Sequence, residues 1–500
     1  MTSHALLLRL RSFATSLLLA ALPATAVAQT TAAATSPSTQ PATRPTGDRR
    51  TFLLTPAAAP TPVTKYRFDY PLDERLDGNA ALSYLQAALM LPGDAELGAV
   101  TDANLDNESD DAFAAAVAKD APWLDTKAPH FLEEAGRRYH CDWEPPVRDG
   151  GIDVLLPYLN HQRELANYVS AKARLAIIRG EVDQAIRLVR AGILLADRTD
   201  DGETFLVSNL VSVGIYRLMM DSVERVMNHP TSPNLYWALR ALPAPAGNFV
   251  EGFENDLSIV FIEVPELKAA RDGELDAAAW ATAVARIRSK FSDAMFVTVT
   301  GNEEADRRVR DDHAARVSDA PRIAANDRAI LDAARANYAA TRKLTPEAAA
   351  RVETAKVVAV YYFESWNENA AQRVAVAALP YPQMLPAMAA VDEQESRLRR
   401  EQPSNPFFAA TPLSNRVAVA NARIDQMIAA LATVEAVRAY AAAHGGALPP
   451  SLDLITETPA PVNPLTGRPF GYTVQGDTAV LWDDTAAAAA PLRYEIRLRK

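Results

Sequence analysis

The chain has 500 residues, with 51 Lys and Arg against 62 Asp and Glu, a formal net charge of −11 and 49% hydrophobic residues. That apolar fraction excludes a disordered chain, 20 glycines exclude a collagen-like one, and a single cysteine, Cys141, excludes an intrachain disulfide framework or a multi-cysteine zinc site. An acidic chain without a long basic run is unsuited to sequence-independent binding of nucleic acid, which requires phosphate neutralisation.

Arg9 and Arg11 precede an apolar run over 12–22, and Ala26-Val27-Ala28 has the small-x-small form of a cleavage site. The pattern predicts a signal peptide over 1–28, cut after Ala28. The apolar run is shorter than the ~20 residues that cross a bilayer. Removing residues 1–28 takes away two arginines and no acid, so 472 residues remain with a charge of −13. The predicted location is the periplasm or the exterior. No later stretch is expected to span a membrane: Thr204–Tyr216, 13 residues without charge, suits a core helix. Residues 29–50 are mostly Thr, Ala, Pro and Ser, which bury too little surface to offset their ordering entropy. A flexible linker is predicted over 29–62.

From 63 to 410 the periodicity predicts a helical domain. Residues 160–178 place Leu165, Val169, Ala173 and Ile177 on one side, and 182–197 place Ile186, Val189 and Ile193 along a second helix. Arg179-Gly180-Glu181 between them forces an antiparallel hairpin. Further helices are predicted at 203–228, 233–242, 275–291, 321–342, 346–378 and 387–400, with Pro380, Pro382 and Pro386 interrupting the chain before the last.

Residues 411–500 read differently. A long helix over 415–444 carries a nearly heptad-spaced stripe from Val417 to Val437, and Gly445-Gly446 ends it. Phe470, Tyr472 and Val474 alternate, Gly476-Asp477 offers a turn, Val480–Trp482 resume, and Leu492, Tyr494, Ile496 and Leu498 alternate with charged residues. Three antiparallel strands packed on the long helix are predicted, with a low-complexity bulge at 485–490.

The 160–197 hairpin, with Ala173, Gly180 and Ala185 at similar offsets, resembles a tetratricopeptide-type hairpin, without a second copy at that period. Cys141-Asp142-Trp143, Leu155-Leu156-Pro157, the hairpin, Asn234–Leu239, Ala378–Tyr381, Ala432–Ala443 and Leu448-Pro449 together resemble exported helical proteins of planctomycete-type bacteria. That resemblance implies a fold and an exported location and carries no catalytic residue. Leu448–Leu452 with Asn463–Tyr472 resembles the C-terminal module of type II secretion pseudopilins, in which a long helix packs on a small antiparallel sheet. Asn463 stands where that family has Asp, and the module sits far from the N-terminus, which argues against a pilus-forming subunit.

Motifs for a nucleophile elbow, P-loop, zincin or dinucleotide fold are absent from the sequence. His130, Glu133, Glu134, His140 and Cys141 lie close enough to suggest a divalent metal, but no second pair at ligand spacing follows. Asp102, Asn104, Asp106 and Glu108 alternate like a calcium loop, with Asn107 and Phe113 where the loop needs Gly and Glu. Glu251, Glu254, Asp256, Glu263 and Glu266 could supply a carboxylate pair. Tyr236-Trp237 and Tyr361-Tyr362-Phe363 with Trp366 could line a groove, although aromatics at helical spacing more often form core. No catalytic, cofactor-binding or metal-ligating residue is therefore assigned, and no cofactor is expected. The expected function is a non-catalytic binding or scaffold module of the cell envelope with an unknown protein or envelope partner. The alternatives are a carboxylate-dependent hydrolase with its site in the helical body, and an accessory part of a secretion machine.

Overall fold

The computed structural model describes residues 49–91, 101, 104, 109–119, 126–202, 205–247, 249–272, 275–291, 327–411, 414–483 and 492–499. The signal peptide, most of the predicted linker, Asp102, Asp106, Glu108 and the 485–490 bulge lie outside the described residues. The protein is mainly helical, with a small mixed sheet of four strands near the C-terminus. The first elements are β1 (Arg49–Leu54), β2 (Leu76–Asn79), α1 (Ala81–Leu89), α2 (Asp110–Lys119), α3 (Ala128–Gly136), β3 (Arg138–His140), α4 (Tyr158–Ile178), α5 (Val182–Thr199), α6 (Leu206–Asn228) and α7 (Tyr236–Arg240). Next come α8 (Phe249–Glu263), α9 (Glu266–Asp272), α10 (Ala277–Phe291), α11 (Arg328–Thr341), α12 (Pro346–Ala350), α13 (Thr354–Ala377) and α14 (Tyr381–Glu401). The chain then forms α15 (Ser414–Ala443), β4 (Gly471–Gln475), β5 (Thr478–Trp482) and β6 (Arg493–Leu498).

The predicted hairpin is α4 and α5. Gly180 at φ +75° makes the turn, a conformation in which a Cβ would be strained. Ala173 and Ala185 are fully buried, so small side chains let the helices approach closely. α6 packs across both helices.

The buried residues form two cores. The first gathers Phe52 and Leu54 of β1, residues of α1 and α3–α7, Ile424–Val437 of α15, and Leu481 and Ile496 of the sheet. The second gathers α8, α10, α11, α13, α14, Phe407–Ala410, and Val417 and Ala418 at the start of α15. α15 is buried almost all round, its polar side chains included, and belongs to both, as expected of a helix surrounded by protein. The buried contacts therefore divide the chain differently from the predicted split at 410/411.

Three sequence expectations are corrected. Residues 49–54, assigned to the linker, form β1, which runs parallel to β6 in register from Arg49↔Arg493 to Leu54↔Leu498, so the sheet order is β1-β6-β5-β4. Phe52 and Leu54 face the core while Thr51 and Leu53 face out, and Phe52 meets the Tyr494 ring edge-on at 5.1 Å. The predicted helix over 346–378 is broken at 351–353 into α12 and α13. The predicted interruption at the three prolines is instead the start of α14. Pro380 is its N-cap and Pro382 lies in the first turn, where an N–H has no intrahelical partner, so only Pro386 forfeits a helical hydrogen bond.

The three predicted C-terminal strands are present and antiparallel, β4 turning into β5 at Gly476 (φ +59°). A buried polar knot ties their loop to α15. Asn463 Nδ2 donates to Asp483 Oδ1 at 2.9 Å, and Gln426 Nε2 donates to Asp483 Oδ2 at 2.5 Å. An Asp at 463 would set a second buried carboxylate against Asp483, whereas the Asn supplies a donor.

Candidate functional site

The residues singled out by sequence do not converge. Glu133 lies 3.6 Å from Arg190, Glu134 pairs with Arg138 at 2.5 Å, and the His130 ring meets Phe131 edge-on. Cys141 is buried, its thiol pKa is raised by that burial, and its backbone N–H donates to Asp201. Asn104 is buried and donates to Ser170 Oγ at 3.0 Å, while Phe113 is fully buried beneath the Arg174 guanidinium. Among the described residues no three His, Cys, Asp or Glu side chains are placed to hold a metal ion.

The carboxylates of α8 and α9 have separate tasks. Glu263 Oε1 accepts from the Ile152 N–H at 2.8 Å, and Oε2 lies 3.3 Å from Lys290. Glu266 pairs with Arg286 at 3.4 Å, and Glu251 and Glu254 are exposed. Asp256 accepts from the N–H of Leu206, the first residue of α6, where a carboxylate suits the exposed amides of a helix start. Burial pushes its pKa up to about 7.

The aromatic groups are mostly core. Trp366 lies 6.1 Å from Phe363, with Phe261 and Phe407 at 6.1 and 6.2 Å. Tyr236 is buried and donates to the Pro459 carbonyl, while Trp237 is partly exposed.

A buried polar seam that sequence reasoning missed lies where the two cores meet. Tyr216 donates to Asp197, whose pKa burial pushes up to about 6. Asn209 Nδ2 donates to Asp200 at 2.7 Å, and Asn421 Nδ2 donates to Asn209 Oδ1 at 2.6 Å. Asp425 accepts from the Ala246 N–H at 2.9 Å and from the Tyr381 hydroxyl at 2.7 Å. The acids come from the end of α5 and from α15, and their partners from α6 and α14, so no single stretch of sequence announces them.

Two surface features remain. An open cleft of about 580 Å³ lies beside the Gly180 turn, with Tyr66, Asp183, Arg187 and Thr231 on its walls. The second is an exposed apolar face on α1. Leu82, Leu85 and Leu89 are 65%, 39% and 80% exposed and share one side of the helix, while Ala81, Tyr84 and Ala87 on the other side are buried. Met90, at the end of the same helix, is exposed as well. Its only signal in the sequence is that Ala80–Leu91 has no charged residue at all, too many apolar positions for one buried side.

Among the described residues α15, with the turn before it (Pro406–Ala443), is the one helix long and apolar enough to cross a membrane, and 83% of the qualifying window is buried within the protein. No family model matches the chain, and no curated protein or solved structure matches it.

Proposed function

We propose that the protein is an exported, non-catalytic binding or scaffold module of the cell envelope, and that the α1 face is where it docks a protein partner. The observation that carries this reading is the uncharged stripe of Leu82, Leu85 and Leu89 standing in solvent on an otherwise acidic chain. Contiguous apolar surface of this kind marks association sites, whose centres are depleted of charge. Asp73, Glu74 and Asp77 lie just before the helix in sequence and disfavour an anionic lipid surface, so a protein with an apolar helix or strand fits better. Export rests on the Arg9/Arg11, apolar-run and Ala26-Val27-Ala28 pattern. The likeness of residues 448–472 to a pseudopilin module agrees with an envelope location.

The test is cross-linking and affinity capture from the native envelope fraction, comparing wild type with Leu85→Glu,Leu89→Glu. A defined protein retained by wild type and lost from the folded variant supports the reading. Identical capture by both proteins, or none by either, overturns it.

A further inference from the structure

The stretch of chain that carries the α1 face is one-sided in charge. Residues 73–127 hold twelve Asp and Glu against Arg75, Lys119 and Lys127, a net −9 in 55 residues of a chain whose total is −11. Arg75 is taken up locally: its guanidinium donates to the Tyr70 carbonyl at 2.9 Å and lies 3.8 Å from Asp69. Of the acids, Asp110 is paired with Arg174. Asp73 and Asp77, which precede α1, are exposed and belong to no ion pair among the described residues. On α1 itself Leu82, Leu85 and Leu89 stand at i, i+3 and i+7, and the half-buried Gln86 and Ala88 and the exposed Met90 beside them carry no charge. That spacing is one heptad of an a/d seam, two turns or about 10 Å long.

We propose that the α1 face docks a basic amphipathic helix of a partner protein, with the leucine stripe against the partner's apolar stripe and the acids around it against flanking Lys and Arg. This rests on the reading of α1 as the docking face and names its occupant. A helix fits because a ridge of side chains at i, i+3 and i+7 packs into the groove of a second helix. Strand addition requires an open backbone edge, and the backbone of a helix is already paired within itself. A second copy of this chain does not fit, because it would set two surfaces of like charge against each other. An anionic membrane surface is repelled in the same way. Opposite charge around a short apolar contact speeds encounter and fixes orientation, so the partner's cations are expected beside Asp73 and Asp77 at the start of α1.

The test is titration of the full chain against labelled helical peptides of about 18 residues, read by fluorescence anisotropy. One peptide has Leu at heptad a and d and Lys on the flanks, one replaces the Lys by Glu, and one replaces the Leu by Ser. Wild type, Leu85→Glu,Leu89→Glu and Asp73→Asn,Asp77→Asn are compared, each checked for folding by circular dichroism. Wild type is expected to bind the Leu/Lys peptide saturably and at least about tenfold more tightly than either other peptide. Leu85→Glu,Leu89→Glu should weaken it at least about tenfold although it adds negative charge, and Asp73→Asn,Asp77→Asn about threefold, with affinity falling as salt rises. Equal binding of the Ser/Lys peptide, or tighter binding by Leu85→Glu,Leu89→Glu, would mean charge attraction alone and overturns the proposal. Equal or tighter binding of the Leu/Glu peptide overturns it too, as does self-association of wild type that the leucine variant abolishes. Envelope capture that still depends on Leu85 and Leu89 while the Leu/Lys peptide fails removes only the basic helical occupant, whereas failure of both removes the docking face itself.

Discussion

The two cores are held together in different ways. The first is fastened by polar contacts between parts of the chain that are far apart in sequence. Arg438 and Glu435 on α15 are both 0% exposed and paired at 3.1 Å. Arg438 also donates to the carbonyls of Thr55, Ser232 and Pro233, up to 383 residues away. The second core is assembled from successive helices, α8 to α14, around Trp280, Phe363, Trp366 and Phe407. Its main polar hub is Arg373 with Asp392 at 2.5 Å and Glu395 at 2.7 Å, all within α13 and α14. A core built from neighbouring segments can close by local packing, whereas the first core requires the two ends of the described chain to meet.

The strongest way to break that contrast is to remove the fastening. Arg438→Met leaves Glu435 in a dry site without its partner and takes a donor from three carbonyls, of which that of Pro233 keeps the Ser232 hydroxyl. Truncating one partner of a buried ion pair costs about 5 kcal/mol at the upper end. Urea unfolding of Arg438→Met is expected to show that loss, with β1 the first element to gain hydrogen exchange. The double variant Glu435→Leu,Arg438→Leu should recover part of it, because no charge is then stranded. A single variant within about 1 kcal/mol of wild type would show that the pair does not fasten the core.

The second core has the opposite sensitivity. Trp366→Leu opens a cavity among the tilted rings of Phe261, Phe363 and Phe407 and is expected to cost about 3 kcal/mol. Trp366→Phe should cost less than its lost area suggests, because the buried indole Nε1 of Trp366 meets no hydrogen-bond partner among the described residues. Fluorescence of Trp143, stacked on Tyr158 at 4.8 Å in the first core, reports whether the damage spreads. Because α15 runs through both cores, Trp143 is expected to follow the same shifted transition. Two separate transitions would show that the cores are independent.

What the sequence revealed follows the same division. The α4–α5 hairpin, α15 and the β4–β6 strands were legible because their apolar positions repeat at one period over many residues. β1 was not legible. Arg49–Leu54 shows only two buried positions, and its partner strand lies 444 residues away, Arg49 opposite Arg493. α13 is buried on several sides, so its period marks no single face, and the break before it was missed. The α1 face was missed because a helix with apolar residues on both sides reads simply as core.

A pH series sharpens the comparison, since each core holds one acid with a strongly raised pKa: Asp197 at about 6 and Asp256 at about 7. Tyr216, Arg198, Asp201 and Asp69 are the ionisable groups acting on Asp197. Both folded values lie above the ordinary carboxylate value near 4. The folded state therefore holds a proton that the unfolded chain has released, and stability rises as pH falls from about 7 towards 4. For Asp197 the gain is roughly 2 to 3 kcal/mol, complete below about pH 4. Asp425, Glu224 and Glu435 are shifted in the same direction by burial, so Asp197→Asn should flatten the profile without abolishing it. Urea midpoints between pH 4.5 and 7.5 read this directly. An unchanged slope in Asp197→Asn would mean that the seam is solvated.

The smallest expected effect bears most directly on whether the cores act as one. Gly247 has φ +99° and sits over the seam, where a Cβ would lie 2.9 Å from Asn209 Nδ2 and 3.0 Å from Asn421 Oδ1. Gly247→Ala adds a left-handed backbone penalty and pushes on two amides that are hydrogen-bonded to each other, at a cost of roughly 1.5 kcal/mol. The preceding residue, Ala246, is buried and donates to Asp425, and Asp425 also accepts from Tyr381 at the start of α14. The strain therefore enters at the loop between the first core and α8 and reaches the second core through α14 as well as α15. An equal drop in the transitions reported by Trp143 and Trp366 follows if the seam couples the cores. A drop confined to one transition would leave α15 as a spine that each core uses separately.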